Sequence, residues 1–174
     1  MSKLFSSKGK KASNEPEYGK IAGRLVIAIA VTVLVLLNVF TYLLSVVSYY
    51  GDSMAPELQS GQTLVIARTQ KVEEGDVIAF YYNNKVVVRR VICSGGKHIS
   101  IAGDGVVSIN GETIAEAYVS KPTLGQCDIA FPFSVPIGHV FVMGDDREIS
   151  MDSRLEAIGT IAADRIIGKV ILAF

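Results

Sequence analysis

The chain has 174 residues, room for one folded domain plus an appendage. Its 17 lysines and arginines balance 17 aspartates and glutamates, so the chain as a whole carries no nucleic-acid signature. With two cysteines, two histidines (His98 and His139), and neither a CxxC nor an HExxH motif, no structural or catalytic metal and no other cofactor are expected.

Charge is unevenly spread along this neutral chain. Residues 1–24 hold Lys3, Lys8, Lys10, Lys11, Lys20 and Arg24 against Glu15 and Glu17, and read as a basic, disordered tail. Residues 25–47, LVIAIAVTVLVLLNVFTYLLSVV, carry no charge, and Asn38 is their only strongly polar residue. At ~1.5 Å per residue this run reaches roughly 34 Å as a helix, enough for a hydrocarbon core of about 30 Å. A core helix would show a polar face, and a cleaved leader would have a shorter apolar stretch and a small-x-small site. The run therefore predicts a single membrane-spanning helix, with Tyr49 and Tyr50 in an interfacial aromatic belt. The basic tail belongs in the cytoplasm by the positive-inside rule, which places everything after Tyr50 outside.

Residues 48–174 read as a mainly β domain. Short apolar, β-branched runs at 63–68, 77–82, 85–92, 98–101, 106–109, 140–143 and 166–172 are separated by turn residues. Asn83-Asn84 and Asn110-Gly111 mark two hairpins, because these residues tolerate positive φ. Residues 115–136 are less patterned and predict a long irregular excursion. One helical turn is expected at 154–158. Cys93 and Cys127 face outward on this topology, where a disulfide is compatible but not required.

Two clusters carry chemistry. Gly51-Asp52-Ser53-Met54-Ala55-Pro56 puts a serine where the apolar run ends and the folded domain begins. Gly144-Asp145-Asp146-Arg147-Glu148-Ile149-Ser150-Met151-Asp152-Ser153-Arg154 follows directly on an apolar strand. Charges at the end of a buried strand are costly unless they satisfy one another. Two arginines among three aspartates argue against a cation cage and for an Asp–Arg network that presents a serine inward.

Four segments resemble, in order, the sequence boxes of the type I signal peptidases. Residues 51–58 resemble the nucleophile box, 74–80 the next box, 88–92 the box of the general base, and 144–154 the last box. The resemblance implies an N-terminal membrane helix followed by an all-β catalytic domain in a bacterial cell membrane, acting on exported preproteins. By position, Ser53 resembles the nucleophile and Ser150 the hydroxyl that orients the base. Asp152 and Arg154 resemble the ion pair behind it, with Asp145 and Arg147 in the supporting loop. The family pairs its serine with a neutral lysine, a convergent variant of the catalytic triad.

The position matching that lysine is Arg89. A guanidinium ionises at roughly 12.5–13.8, so bringing it near 7 needs about six units, on the order of 8 kcal/mol. Three substitutes for the lysine come from the sequence. Lys85 lies on the same strand face but about 13 Å away at ~3.3 Å per residue. A one-residue slip brings Arg90, which points to the other face. Water or Ser150 would support a slower reaction, with Arg89 only a positive charge.

Two functions follow from the resemblance. One is a membrane-bound serine endopeptidase that removes signal peptides through Ser53 and Arg89. The alternative is an impaired relative that binds or positions exported proteins. A cytoplasmic self-cleaving repressor is disfavoured by the membrane span. An active site implies small residues one and three positions before the cut, in a groove that binds extended peptide by strand addition. Valines and isoleucines near Met54 and on the Arg89 strand are expected to line it. Phe131-Pro132-Phe133 is expected to pack in the core, the alternative being a dip into the membrane surface.

Overall fold

The computed structural model describes residues 17–174. The expected basic tail falls outside the described residues as far as residue 16. From Glu17 the chain is helical, because Lys20, Ala22, Arg24 and Leu25 are strong helix formers and extending a helix is cheap once it is nucleated. The chain divides into two compact units, the first ending at Thr41 and the second spanning Tyr42–Phe174.

Helix α1 covers Glu17–Leu43, and its residues from Tyr18 to Leu43 are exposed, long and apolar enough to cross a membrane. Its few polar groups bond back onto the helix. Asn38 Nδ2 donates to Leu34 O (2.9 Å) and Thr32 Oγ1 to Ala28 O (2.9 Å). That closure lets such groups sit in an apolar medium without a second helix.

The helix stops four residues before the apolar run does. Leu44–Ser48 forms strand β1, followed by β2 (Thr63–Ala67), β3 (Val77–Tyr82), β4 (Lys85–Ser94), β5 (His98–Ile101) and β6 (Val107–Ile109). Next come β7 (Glu112–Thr113), β8 (Phe133–Ser134), β9 (His139–Met143), β10 (Ile161–Ala162) and β11 (Ile166–Ala173), with a 3-10 turn at Ala163–Arg165. Residues 44–48 leave the helix because Leu-Ser-Val-Val-Ser pairs along its whole length with β2, from Leu44↔Ala67 to Ser48↔Thr63. Hydropathy marks a span without separating its helical part from a β-branched end that finds a partner strand. The single turn expected at 154–158 lies at 155–159, closed by Gly159 N–H onto Leu155 O (2.9 Å), and does not extend into a helix.

A seven-stranded sheet runs β1-β2-β11-β3-β4-β9-β10, and a four-stranded sheet runs β7-β6-β5-β8. The β3–β4 hairpin turns at Asn83 and Asn84, both at positive φ (47° and 62°), as their asparagine chemistry predicts. Adjacent pairing continues down that hairpin as Ile78↔Arg89 and Val77↔Arg90.

Three apolar clusters hold the domain. One joins the two sheets through Ile92, Ile99, Phe141 and Met143, with the half-buried Phe131 and Phe133 packed against it. A second surrounds Phe80, Val91, Val142 and Ile161. The third contains Tyr49, Met54, Leu58, Leu64, Ile66 and Val88. Tyr49 is therefore not in an exposed aromatic belt. It is 6% exposed, because β1–β2 pairing turns it inward, while Tyr50 is 79% exposed. Cys93 and Cys127 are free thiols, and burial pushes Cys93 up to about 11.

Candidate active site

The turn after β1 presents Ser53. Ala55 N–H donates to Asp52 O (2.9 Å) and Leu58 N–H to Met54 O (2.9 Å), winding the segment tightly. Met54 is fully buried and anchors the turn from below, which leaves Ser53 half-buried at its edge. Asp146 N–H donates to Ser53 O (3.1 Å), tying this turn to the loop that follows β9.

Strand β4 brings Arg89 to the same point. Period-two alternation sends adjacent side chains to opposite faces, so only one of Arg89 and Arg90 can meet the serine. It is Arg89: its Nη1 donates to Ser53 Oγ (2.8 Å) and to Val88 O (2.6 Å). Its Nε and Nη2 both donate to Met151 O (3.0 and 2.8 Å). The guanidinium is 8% exposed and has no carboxylate within hydrogen-bond reach. Burial holds it below its ordinary value, while Asp152 and Tyr49 pull it back up. It remains a cation at physiological pH, and it donates to the serine oxygen instead of accepting its proton.

Arg90 takes the other face. Its Nε and Nη2 grip both oxygens of Asp145 (2.8 and 2.5 Å), Nη1 donates to Gly75 O (2.9 Å), and the guanidinium lies 4.1 Å from the Tyr118 ring centre. Lys85 is exposed at the hairpin end opposite Tyr82, outside the groove around Ser53.

The 144–154 loop buries Asp145, Arg147, Ser150, Asp152, Ser153 and Arg154 and leaves Glu148, Ile149 and Met151 exposed. Asp152 accepts two bonds from the Arg154 guanidinium (2.8 Å each), one from Arg154 N–H (3.2 Å) and one from Gly144 N–H (3.0 Å). Arg154 also donates to Leu124 O (2.6 Å) and Arg147 O (2.9 Å). Arg147 does not pair with an aspartate of its own loop: it reaches Glu116 in a bidentate pair (3.0 and 2.6 Å). Gly144 is where the loop touches the serine turn, since a Cβ there would collide with Ser150 Oγ and Ser53 O. Ser150 is 1% exposed, yet its Oγ has no hydrogen-bond partner. Every expected site residue thus lies at Ser53 or in the loop that backs it; of the two substitutes, Arg90 bonds Asp145 of that loop and Lys85 stays outside the site.

Two neighbours were not singled out from sequence. Tyr49 Oη lies 3.3 Å from Ser53 Oγ and accepts Met54 N–H (3.2 Å). Glu116 sits in the unpatterned 115–136 segment, where an acidic residue has no periodic signal. A Tyr four residues before the serine on a turn was a usable clue, obscured by its apparent place in an interfacial belt.

A groove opens over Ser53, lined by Val47, Ser48, Tyr50, Val86, Val88 and Arg89. Val47 and Ser48 come from β1 and the others on the far wall from β4. Three strands separate these two in the sheet order, so the sheet must curl to bring them face to face. A peptide entering it would meet two strand edges and the serine hydroxyl.

Residues 22–174 match the family described as "Signal peptidase, peptidase S26". The chain is 33% identical to signal peptidase I T of Bacillus subtilis (strain 168) over 172 residues, covering 91% of this chain and 84% of that one. It is 32% identical to signal peptidase IB of Staphylococcus aureus over 169 residues, covering 86% and 87%. A crystal structure of a signal peptidase I from Enterococcus faecalis V583 aligns with a TM-score of 0.47 at 28% identity, covering 59% of this chain and 97% of that one.

Proposed function

The chain belongs to the signal peptidase family, peptidase S26, and from that membership we propose that it is a membrane-anchored serine endopeptidase whose Ser53 cuts signal peptides from exported preproteins. Helix α1 is the single membrane anchor, with the N-terminus cytoplasmic and the β domain outside. The observation that carries the reading is Ser53 Oγ at the floor of a two-strand groove, with a buried cation 2.8 Å away. Extended peptide adds to the strand edges, which places its scissile carbonyl over the serine. In this reading Ser53 N–H donates to the oxyanion as the tetrahedral intermediate forms. Asp152–Arg154, Arg90–Asp145 and Arg147–Glu116 keep the walls of the site in place.

The test is cleavage of a preprotein by the full chain in lipid. The unaltered chain is expected to cut, and Ser53→Ala to reduce cutting to background. Equal cutting by Ser53→Ala would overturn the assignment of the nucleophile.

One feature favours a second reading, that of a binding protein without turnover. The Arg89 guanidinium donates to the oxygen that should be deprotonated, and Ser150 Oγ is left without a partner. A chain that binds signal peptide in the groove yet leaves it intact at every pH, while Arg89→Lys cuts it, would establish that reading.

A further inference from the structure

Any nucleophilic role for Ser53 needs a group to take its proton, and the geometry around Oγ offers few. Among the described residues, two side chains lie within hydrogen-bond distance of it: Arg89 Nη1 at 2.8 Å and Tyr49 Oη at 3.3 Å. Of the two, only the phenol oxygen carries a lone pair that can accept a proton; a guanidinium presents donors alone. The contact is longer than a tight O–H···O bond, as is common for catalytic hydrogen bonds before substrate closes over them.

We propose that Tyr49 is the proton acceptor for Ser53 in this chain, with Arg89 holding the resulting charges in place. The inference rests on Ser53 being the nucleophile. Its support is the arrangement around Oη. Met54 N–H already donates to that oxygen (3.2 Å), a bond that strengthens when the oxygen is negative. The charged group facing it is the Arg89 guanidinium from β4, which lacks a carboxylate of its own. The phenol and the guanidinium are electrostatically coupled, as are Arg89 and the Asp152–Arg154 pair of the loop. Tyr50, the other titratable residue of the groove, is exposed at its rim. Tyr49 otherwise packs against Met54, Leu58, Leu64, Ile66 and Val88, all apolar. The two polar neighbours of Oη, the Met54 N–H and the Arg89 guanidinium, both favour an oxygen that carries negative charge, against the apolar packing around the ring.

The steps balance. The phenolate Oη takes the Ser53 Oγ proton as Oγ bonds to the scissile carbonyl carbon, and the carbonyl electron pair becomes the oxyanion. Tyr49 then returns its proton to the amine nitrogen as the C–N bond breaks, leaving an acyl-serine. Water attacks this ester, gives its proton to Tyr49 Oη, and the Ser53 C–O bond breaks with the proton passing back to Oγ. Arg89 stays protonated throughout. A lysine at position 89 makes the phenol dispensable, because its amine can accept the proton directly.

The experiment measures cleavage of one preprotein by the full chain in lipid from pH 6 to 10.5. The enzymes are the unaltered chain, Tyr49→Phe, Arg89→Lys and the Tyr49→Phe/Arg89→Lys pair. The unaltered rate is expected to rise with pH. Tyr49→Phe is expected to lose at least a hundredfold, and the double variant to regain cleavage, which excludes misfolding as the cause. Ring-fluorinated tyrosine at position 49, a more acidic phenol, is expected to move the rise to lower pH. If Tyr49→Phe cuts like the unaltered chain, or if the unaltered chain is inert while Arg89→Lys cuts, Tyr49 is not the acceptor although Ser53 stays competent. If no form cuts, including Arg89→Lys, the nucleophile assignment fails with it.

Discussion

Arg89 and Arg90 are neighbours on one strand, equally buried, and bonded in opposite ways. Arg90 has a carboxylate held by two hydrogen bonds, a carbonyl and an aromatic face. Arg89 has two carbonyls and a serine hydroxyl, and its charge is neutralised by no partner in contact. The same contrast separates their surroundings. The 144–154 loop behind Asp152 is saturated with bonds, whereas the point where it meets Ser53 holds an unpartnered hydroxyl. Saturated pairs set geometry, and groups left short of partners are where a substrate or a proton can still make a difference.

The comparison can be broken by removing one partner at a time and reading stability in urea. Asp152→Ala leaves Arg154 buried without its carboxylate and should cost the most, about 3–5 kcal/mol. A loss below about 1 kcal/mol would mean that the loop is not the scaffold described. Asp145→Ala strands Arg90 in the same way, but Gly75 O and the Tyr118 face remain, so a loss of about 2–3 kcal/mol is expected. Arg89→Lys has no carboxylate to lose and should change stability by about 1 kcal/mol or less; a loss as large as that of Asp145→Ala would put both arginines in one structural class. Ser150→Ala is expected to be the mildest, within about 0.5 kcal/mol of the parent or slightly stabilising, because it removes a buried hydroxyl that bonds to nothing.

Ser150 also sharpens the contrast in function. In an Arg89→Lys background the amine gains the option of bonding Ser150 Oγ, and the added Ser150→Ala change should then slow cleavage about tenfold or more. Cleavage by the Arg89→Lys chain that is indifferent to Ser150 would remove the serine from any orienting role.

Much of this was legible in sequence where local chemistry decides the outcome. Asn83-Asn84 sets a hairpin turn by its own φ preference, and that hairpin carries Arg89 to the serine. The Asp–Arg density of 144–154 announced a paired loop because isolated buried charges cannot persist, and within it Asp152 holds Arg154. What stayed hidden depends on partners distant in the chain. Leu44–Ser48 looks like the end of an apolar helix until Thr63–Ala67 is known to lie beside it. Tyr49 looks interfacial until that pairing buries it against Ser53. Arg147 looks like a partner for a nearby aspartate, and Glu116, 31 positions away, takes it instead.

The central claim is that Arg89 is a fixed cation beside a working serine and that it limits the reaction by failing to accept a proton. The most direct measurement is the cleavage rate of one preprotein at pH 7 by the Arg89→Lys chain, relative to the unaltered chain. The account predicts a gain of about tenfold or more, since an amine shielded in the same pocket loses its proton far more readily than a phenol or guanidinium. An equal or lower rate would show that Arg89 does not limit the reaction, and the account would be wrong.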